Sequence, residues 1–187
     1  MRILKLQMQL SLDGFVARPN GALDWVVWDW DNELNKCVDE ITEPVDTILL
    51  GRKMAGGFIS HWTNVVNNPN DPDYASGKKF VETPKVVFTK TLDKSEWENT
   101  AIATGDLADG VSKLKNQDGK DIIVYGGANF VSNLIRQGLI DEYYLFVNPV
   151  ALGSGMTIFN NVDNRLNLNL VEAKDFSCGI ALLHYKK

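Results

Sequence analysis

The feature that most constrains this chain is a repeated juxtaposition: an apolar, β-branched run that stops at glycine and passes directly into a helical pattern. It occurs at residues 45–50, followed by Gly51-Arg52-Lys53, and at residues 121–125, followed by Gly126-Gly127-Ala128-Asn129. A run that is apolar at nearly every position fits a strand covered on both faces, as in a parallel sheet. The helix predicted over 128–137 turns Phe130, Val131, Leu134 and Ile135 to one side, and Gly138 stops it.

The rest of the chain agrees with this pattern. Residues 3–10 alternate apolar and polar and predict a first strand. The turn cluster Arg18-Pro19-Asn20-Gly21 and an aromatic stretch from Trp25 to Trp30 follow. Asp29 or Asp31 can cap a helix over about 31–42, with Leu34, Cys37, Val38 and Ile41 on one face and Pro44 beyond its end. After Lys53 the spacing predicts a short helical stretch to about residue 60. Residues 63–79 then read as a long polar surface loop, with a short helix near 78–82. Residues 85–89 predict another buried strand, 100–104 a short one, 107–115 a helix and 142–148 a strand. Residues 166–174 and 178–186 predict a terminal hairpin. The sum is α/β: a mainly parallel, mixed sheet with helices on both faces and a C-terminal antiparallel hairpin. No repeat or linker interrupts it, so a single domain over 1–187 is expected.

Charge narrows the ligands. Nineteen basic residues stand against 24 acidic ones, a formal charge of −5. A broad nucleic-acid surface is not expected, and any bound anion needs a local site. Cys37 and Cys178 fit no CxxC or zinc spacing, and His61 and His184 stand alone, so no metal site or Ser-His-Asp triad is expected. The N-terminus lacks an apolar core of signal-peptide length and no run approaches a membrane span, which predicts a cytoplasmic protein with no membrane partner.

The two strand-glycine-helix junctions carry the chemistry. Free N–H groups and the positive end of the helix dipole bind anions, and glycine lets a phosphate approach the backbone. Arg52 and Lys53 add charge at the first junction. No GxGxxG follows the first strand and no GxxxxGK[ST] exists; Gly153-Ser154-Gly155 is only a GxG. The competing structural reading is that such glycines simply turn the chain.

Six segments in order resemble the dihydrofolate reductase-like superfamily: Ser11-Leu12-Asp13-Gly14-Phe15-Val16-Ala17, Ile48-Leu49-Leu50-Gly51-Arg52-Lys53, Val86-Val87-Phe88-Thr89, Val124-Tyr125-Gly126-Gly127-Ala128, Gly138-Leu139-Ile140-Asp141-Glu142, and the stretch from Asn148-Pro149 to Ile158-Phe159. The closer similarity is to the reductase domain of riboflavin biosynthesis (RibD C-terminal-like), here standing alone over about 3–185. The resemblance implies a three-layer sandwich, NADPH as cofactor, and hydride transfer to a pterin- or pyrimidine-like small molecule. By family analogy it implies a homodimer. The length matches one complete reductase domain, and no HxE or PCxxC motif marks an attached deaminase. The alternative is a non-catalytic nucleotide-binding protein of the same fold.

The resemblance also implies site residues. Gly51, Arg52, Lys53, Thr89 and Lys90 would hold the cofactor's phosphates, Arg52 and Lys90 favouring a 2′-phosphate. The family's usual threonine two residues after the arginine is Met54 here, which removes one hydroxyl contact. Gly126, Gly127, Ala128 and Asn129 would face the pyrophosphate and nicotinamide, with Val16 and Ala17 in the apolar wall. In dihydrofolate reductases the Gly-Gly bond is cis, and the same is expected between Gly126 and Gly127. Gln9, Phe15, Val16 and Trp25 would line the substrate, beside Asp13. The candidate acids are Asp31, Asp29 and Asp13. Helix capping accounts equally for Asp31, a turn for Asp13, and core packing for Trp25, Trp28 and Trp30.

Overall fold

The computed structural model describes residues 1–160, 162–163 and 165–187. In chain order its elements are β1 (Leu4–Ser11), α1 (Asn32–Thr42), β2 (Val45–Gly51), α2 (Arg52–Val66), α3 (Tyr74–Glu82), β3 (Lys85–Phe88), β4 (Thr100–Ala103), α4 (Leu107–Lys115), β5 (Asp121–Val124), α5 (Ala128–Arg136), β6 (Glu142–Asn148), β7 (Asn169–Asp175) and β8 (Ala181–Lys186). The strands form one sheet in the order β4-β3-β2-β5-β1-β6-β8-β7. The pairs from β4 to β6 are parallel, and β6-β8 and β8-β7 are antiparallel. This is the mixed sheet with a terminal hairpin that the alternation of runs predicts.

Each sheet face carries its own core. On one, Leu4, Leu6, Leu49, Ile122 and Val124 pack against Val111 of α4 and Val131, Leu134 and Ile135 of α5. On the other, Ile48, Leu50, Ile123 and Phe146 pack against Leu34 and Ile41 of α1, Ala55 and Ile59 of α2, and Phe80 of α3. Alternate residues of β2 and β5 thus feed opposite layers, as strand geometry requires. The arrangement is the three-layer sandwich expected.

Three expectations are corrected. The helical stretch after Gly51 reaches Val66 rather than about residue 60, and the loop expected over 63–79 shrinks to 67–73 because α3 begins at Tyr74. The reason is tertiary. Trp62 packs against Phe58 and Phe80, and Gly77 lets α3 approach α2 so closely that a Cβ there would lie 2.8 Å from Val65. A glycine that reads as a helix breaker serves here as a helix contact. The expected cis bond between Gly126 and Gly127 is also absent, as is any cis peptide among the described residues. Both glycines instead take positive φ (158° and 84°), and that freedom swings the chain from β5 into α5 through trans bonds.

Candidate cofactor and substrate site

β2 and β5 are neighbours, and the helices that follow them leave for opposite faces of the sheet. A crevice opens where such connections diverge, at the carboxyl ends of the strands. The two helix N-termini meet there: a Cβ on Gly127 would lie 3.9 Å from Cα of Gly51, and one on Gly51 would lie 2.7 Å from Cβ of Phe130. Neither Gly51 nor Gly127 supplies a side-chain cap, whereas Asp31 caps α1 and Asp106 caps α4. The first N–H groups of α2 and α5 are therefore open to an anionic ligand. The N-terminus of α3 also lacks a side-chain cap, but Tyr74 lines a groove of about 740 Å³ at the opposite, amino-terminal end of the strands, with Arg2, Asp46 and Pro84.

The basic residues expected at the phosphates all lie on the surface. Arg52 and Lys53 are exposed on the first turn of α2, and Lys90 is exposed just after β3; among the described residues none of the three pairs with a carboxylate. Lys90 borders a cavity of about 670 Å³ with Thr104, Gly105 and Asp106. Thr89 is buried: its N–H donates to Ala103 and its Oγ1 accepts from the N–H of Thr91. Ala128 is half-buried and Asn129 exposed at the start of α5. Met54 lies over Gly126, its sulfur 2.9 Å from where a Cβ would stand, with Cε of Met8 at 3.9 Å. The place of the missing threonine is thus filled by an apolar contact.

The residues named for the substrate are only partly brought together. Gln9 is half-buried near the carboxyl end of β1, and its Oε1 accepts from Nδ2 of Asn148 at 2.8 Å. Asn148, fully buried, accepts at Oδ1 from the N–H of Val27 at 2.9 Å, which ties the aromatic segment to the sheet. Trp25 is buried, Trp30 donates from Nε1 to Val27, and Trp28, 61% exposed, stacks on Trp30. Val16 belongs to the core beneath α5, and Ala17 bridges to Met156, with Phe15 packed near Gly155. These three hold two loops together more than they line an open wall.

The three candidate acids have unlike surroundings. Asp13 accepts from the Ser11 hydroxyl at 2.6 Å and from the N–H groups of Leu152 and Gly153, which hold its carboxyl down at about 2. Asp31 accepts from the Ser177 hydroxyl at 2.6 Å and from the N–H groups of Leu34 and Cys178, and its pKa is likewise lowered, first by the Ser177 bond. A carboxylate so held is ionised at neutral pH and is a poor proton donor. Asp29 is exposed, with no side-chain hydrogen bond to a described residue. Asn148 and Met8 escaped the sequence reading as site residues. A polar residue closing the apolar run EYYLFVN was the available signal for Asn148; Met8 offered none.

The family model described as RibD C-terminal domain matches residues 2–182. The chain belongs to that family. It is 36% identical over 187 residues to the uncharacterised protein YyaP of Bacillus subtilis (strain 168), covering 98% of this chain and 94% of the relative. It is 22% identical to the riboflavin biosynthesis protein RibD of Corynebacterium ammoniagenes, of which it spans 44%. Among solved structures, a Shewanella sp. PV-4 protein named for riboflavin biosynthesis superposes with a TM-score of 0.73 at 20% identity over 98% of both chains. A deaminase/5-amino-6-(5-phosphoribosylamino)uracil reductase of Thermotoga maritima superposes at 0.67 with 18% identity, over 99% of this chain and 56% of that one. No described helix is long and apolar enough to cross a membrane.

Proposed function

We propose that this protein is an NADPH-dependent reductase that transfers hydride to a pterin- or pyrimidine-like small molecule. The observation that carries the reading is the convergence of the α2 and α5 N-termini at Gly51 and Gly127, with unpaired Arg52 and Lys53 on the first turn of α2. Backbone N–H groups of both helix starts would hold the pyrophosphate, and Arg52 and Lys90 the 2′-phosphate. Bound NADPH supplies the hydride. The chain's own work is to hold the two reactants together and to exclude water with Met8, Met54 and the segment around Trp25. With Asp13 and Asp31 held ionised, water delivers the proton, and Asp29 is the candidate carboxylate left to order it.

Tryptophan fluorescence and melting temperature on titration with NADPH and NADH test the cofactor. Arg52→Ala should weaken NADPH much more than NADH, and equal weakening would remove Arg52 from the 2′-phosphate. NADPH oxidation with pterins, diaminopyrimidines and 5-amino-6-(5-phosphoribosylamino)uracil tests turnover. A second reading, nucleotide binding without turnover, draws on the same locked state of Asp13 and Asp31. NADPH binding with no oxidation across the panel would favour it.

A further inference from the structure

The amide of Gln9 can point only one way. Asn148 accepts at Oδ1 from the N–H of Val27 and donates from Nδ2 to the carbonyls of Phe146 (3.3 Å) and Leu10 (3.4 Å). A peptide N–H only donates and a carbonyl only accepts, so the Asn148 amide cannot be reversed. Its Nδ2 also donates to Gln9 Oε1 at 2.8 Å. Reversing Gln9 would set donor against donor, so its nitrogen faces away from Asn148. That nitrogen has no acceptor among the described residues, yet it is not sealed from solvent.

Its position is informative. Leu6 is paired with Val124, the last residue of β5, and Gln9 lies three residues further on, at the carboxyl ends of the strands where the two helices start, on the sheet face opposite Met8. Among the described residues, Gln7, two residues earlier on the same face of β1 as Gln9, buries an Oε1 without a donor, and Trp25, in the segment that Asn148 holds, buries an Nε1 without an acceptor. Those two atoms are sealed from solvent, so of the three it is the Gln9 nitrogen that a ligand can reach.

We infer that Gln9 is a specificity-determining residue that donates a hydrogen bond from Nε2 to an exocyclic oxygen of the substrate's ring. The identity of that ring as a pyrimidine or pterin rests on the reductase reading above. The residue selects for oxygen against an amino group at that ring position, because an amino group would meet a donor with a donor.

The test follows binding of 5,6-diaminouracil and 2,4,5,6-tetraaminopyrimidine by tryptophan fluorescence, with and without NADPH. The two rings carry oxygen or amino groups at the same two carbons. The wild type should prefer the uracil. Gln9→Met should cut that preference about tenfold, the worth of one neutral hydrogen bond. Gln9→Glu, which keeps an oxygen toward Asn148 and presents an acceptor outward, should invert it. If Gln9→Glu does not fold, Gln9→Met still decides. An unchanged ratio in a folded variant, or no binding of either ring to the wild type, overturns the inference. Failure of NADPH to bind overturns the cofactor reading instead, and the titrations without NADPH still report on Gln9.

Discussion

Gly51→Ala is the sharpest perturbation the structure offers. Its backbone (φ −78°, ψ 141°) suits any residue, so the cost is purely steric. The new methyl would lie 2.7 Å from Cβ of Phe130 and 3.0 Å from its Cγ, where ordinary contact begins at 3.4 Å. Cβ of Phe130 cannot rotate away, so α5 must move from β2 by about 0.7 Å. Overpacking of this size costs about 1–3 kcal/mol, which for a chain of 187 residues lowers Tm by about 3–8 °C. The same shift parts the two helix starts, so NADPH affinity should fall as well. Gly57→Ala is the matched control. It sits on an exposed stretch of α2 with nothing within 4 Å of its Cβ position, and there alanine should raise stability by about 0.5–1 kcal/mol. Differential scanning calorimetry of the two variants gives the answer. If Gly51→Ala melts with the wild type, the close approach of β2 and α5 is not a constraint and the two helix starts are not held together by it.

Other consequences are as direct. Asp13 is depressed to about 2 from 3.8, so it stabilises the fold above about pH 4 and the contribution is lost as pH falls toward 2. Asp13→Asn should therefore flatten the acid limb of urea midpoint against pH. Lys85, buried against the carbonyls of Phe80, Val81 and Thr83, is pushed down to about 8 from 10.5 by burial. Between those values the unfolded chain holds the proton that the folded chain has shed, so stability rises with pH over roughly 8 to 10.5, and Lys85→Met should remove that rise. Asp31→Ala removes the cap of α1 and its tie to Ser177 and Cys178. Hydrogen exchange at Leu34 and Asn35 should accelerate in that variant, with little change at α5.

The layer order of this protein was legible in its sequence because strands buried on both faces must be apolar at nearly every position. Residues 45–50 and 121–125 could hardly be anything else. The glycine that ends each run was legible for the same local reason, since a strand turning into a helix needs backbone freedom. What local pattern could not carry was proximity. Nothing near Gly77 announces that α2 and α3 pack against each other, and the loop assigned to 63–79 was lost to that contact. The roles of Asp31 and Asp13 were open until Ser177, Cys178, Leu152 and Gly153 arrived from far along the chain to occupy their oxygens. The orientation of Gln9 likewise waits on Asn148, 139 residues away. Sequence alone determined which segments are strands and helices, through burial and backbone preference. Only the tertiary structure decided which polar atoms are spent within the fold and which remain for a ligand, because each hydrogen bond depends on a partner that distance along the chain does not reveal.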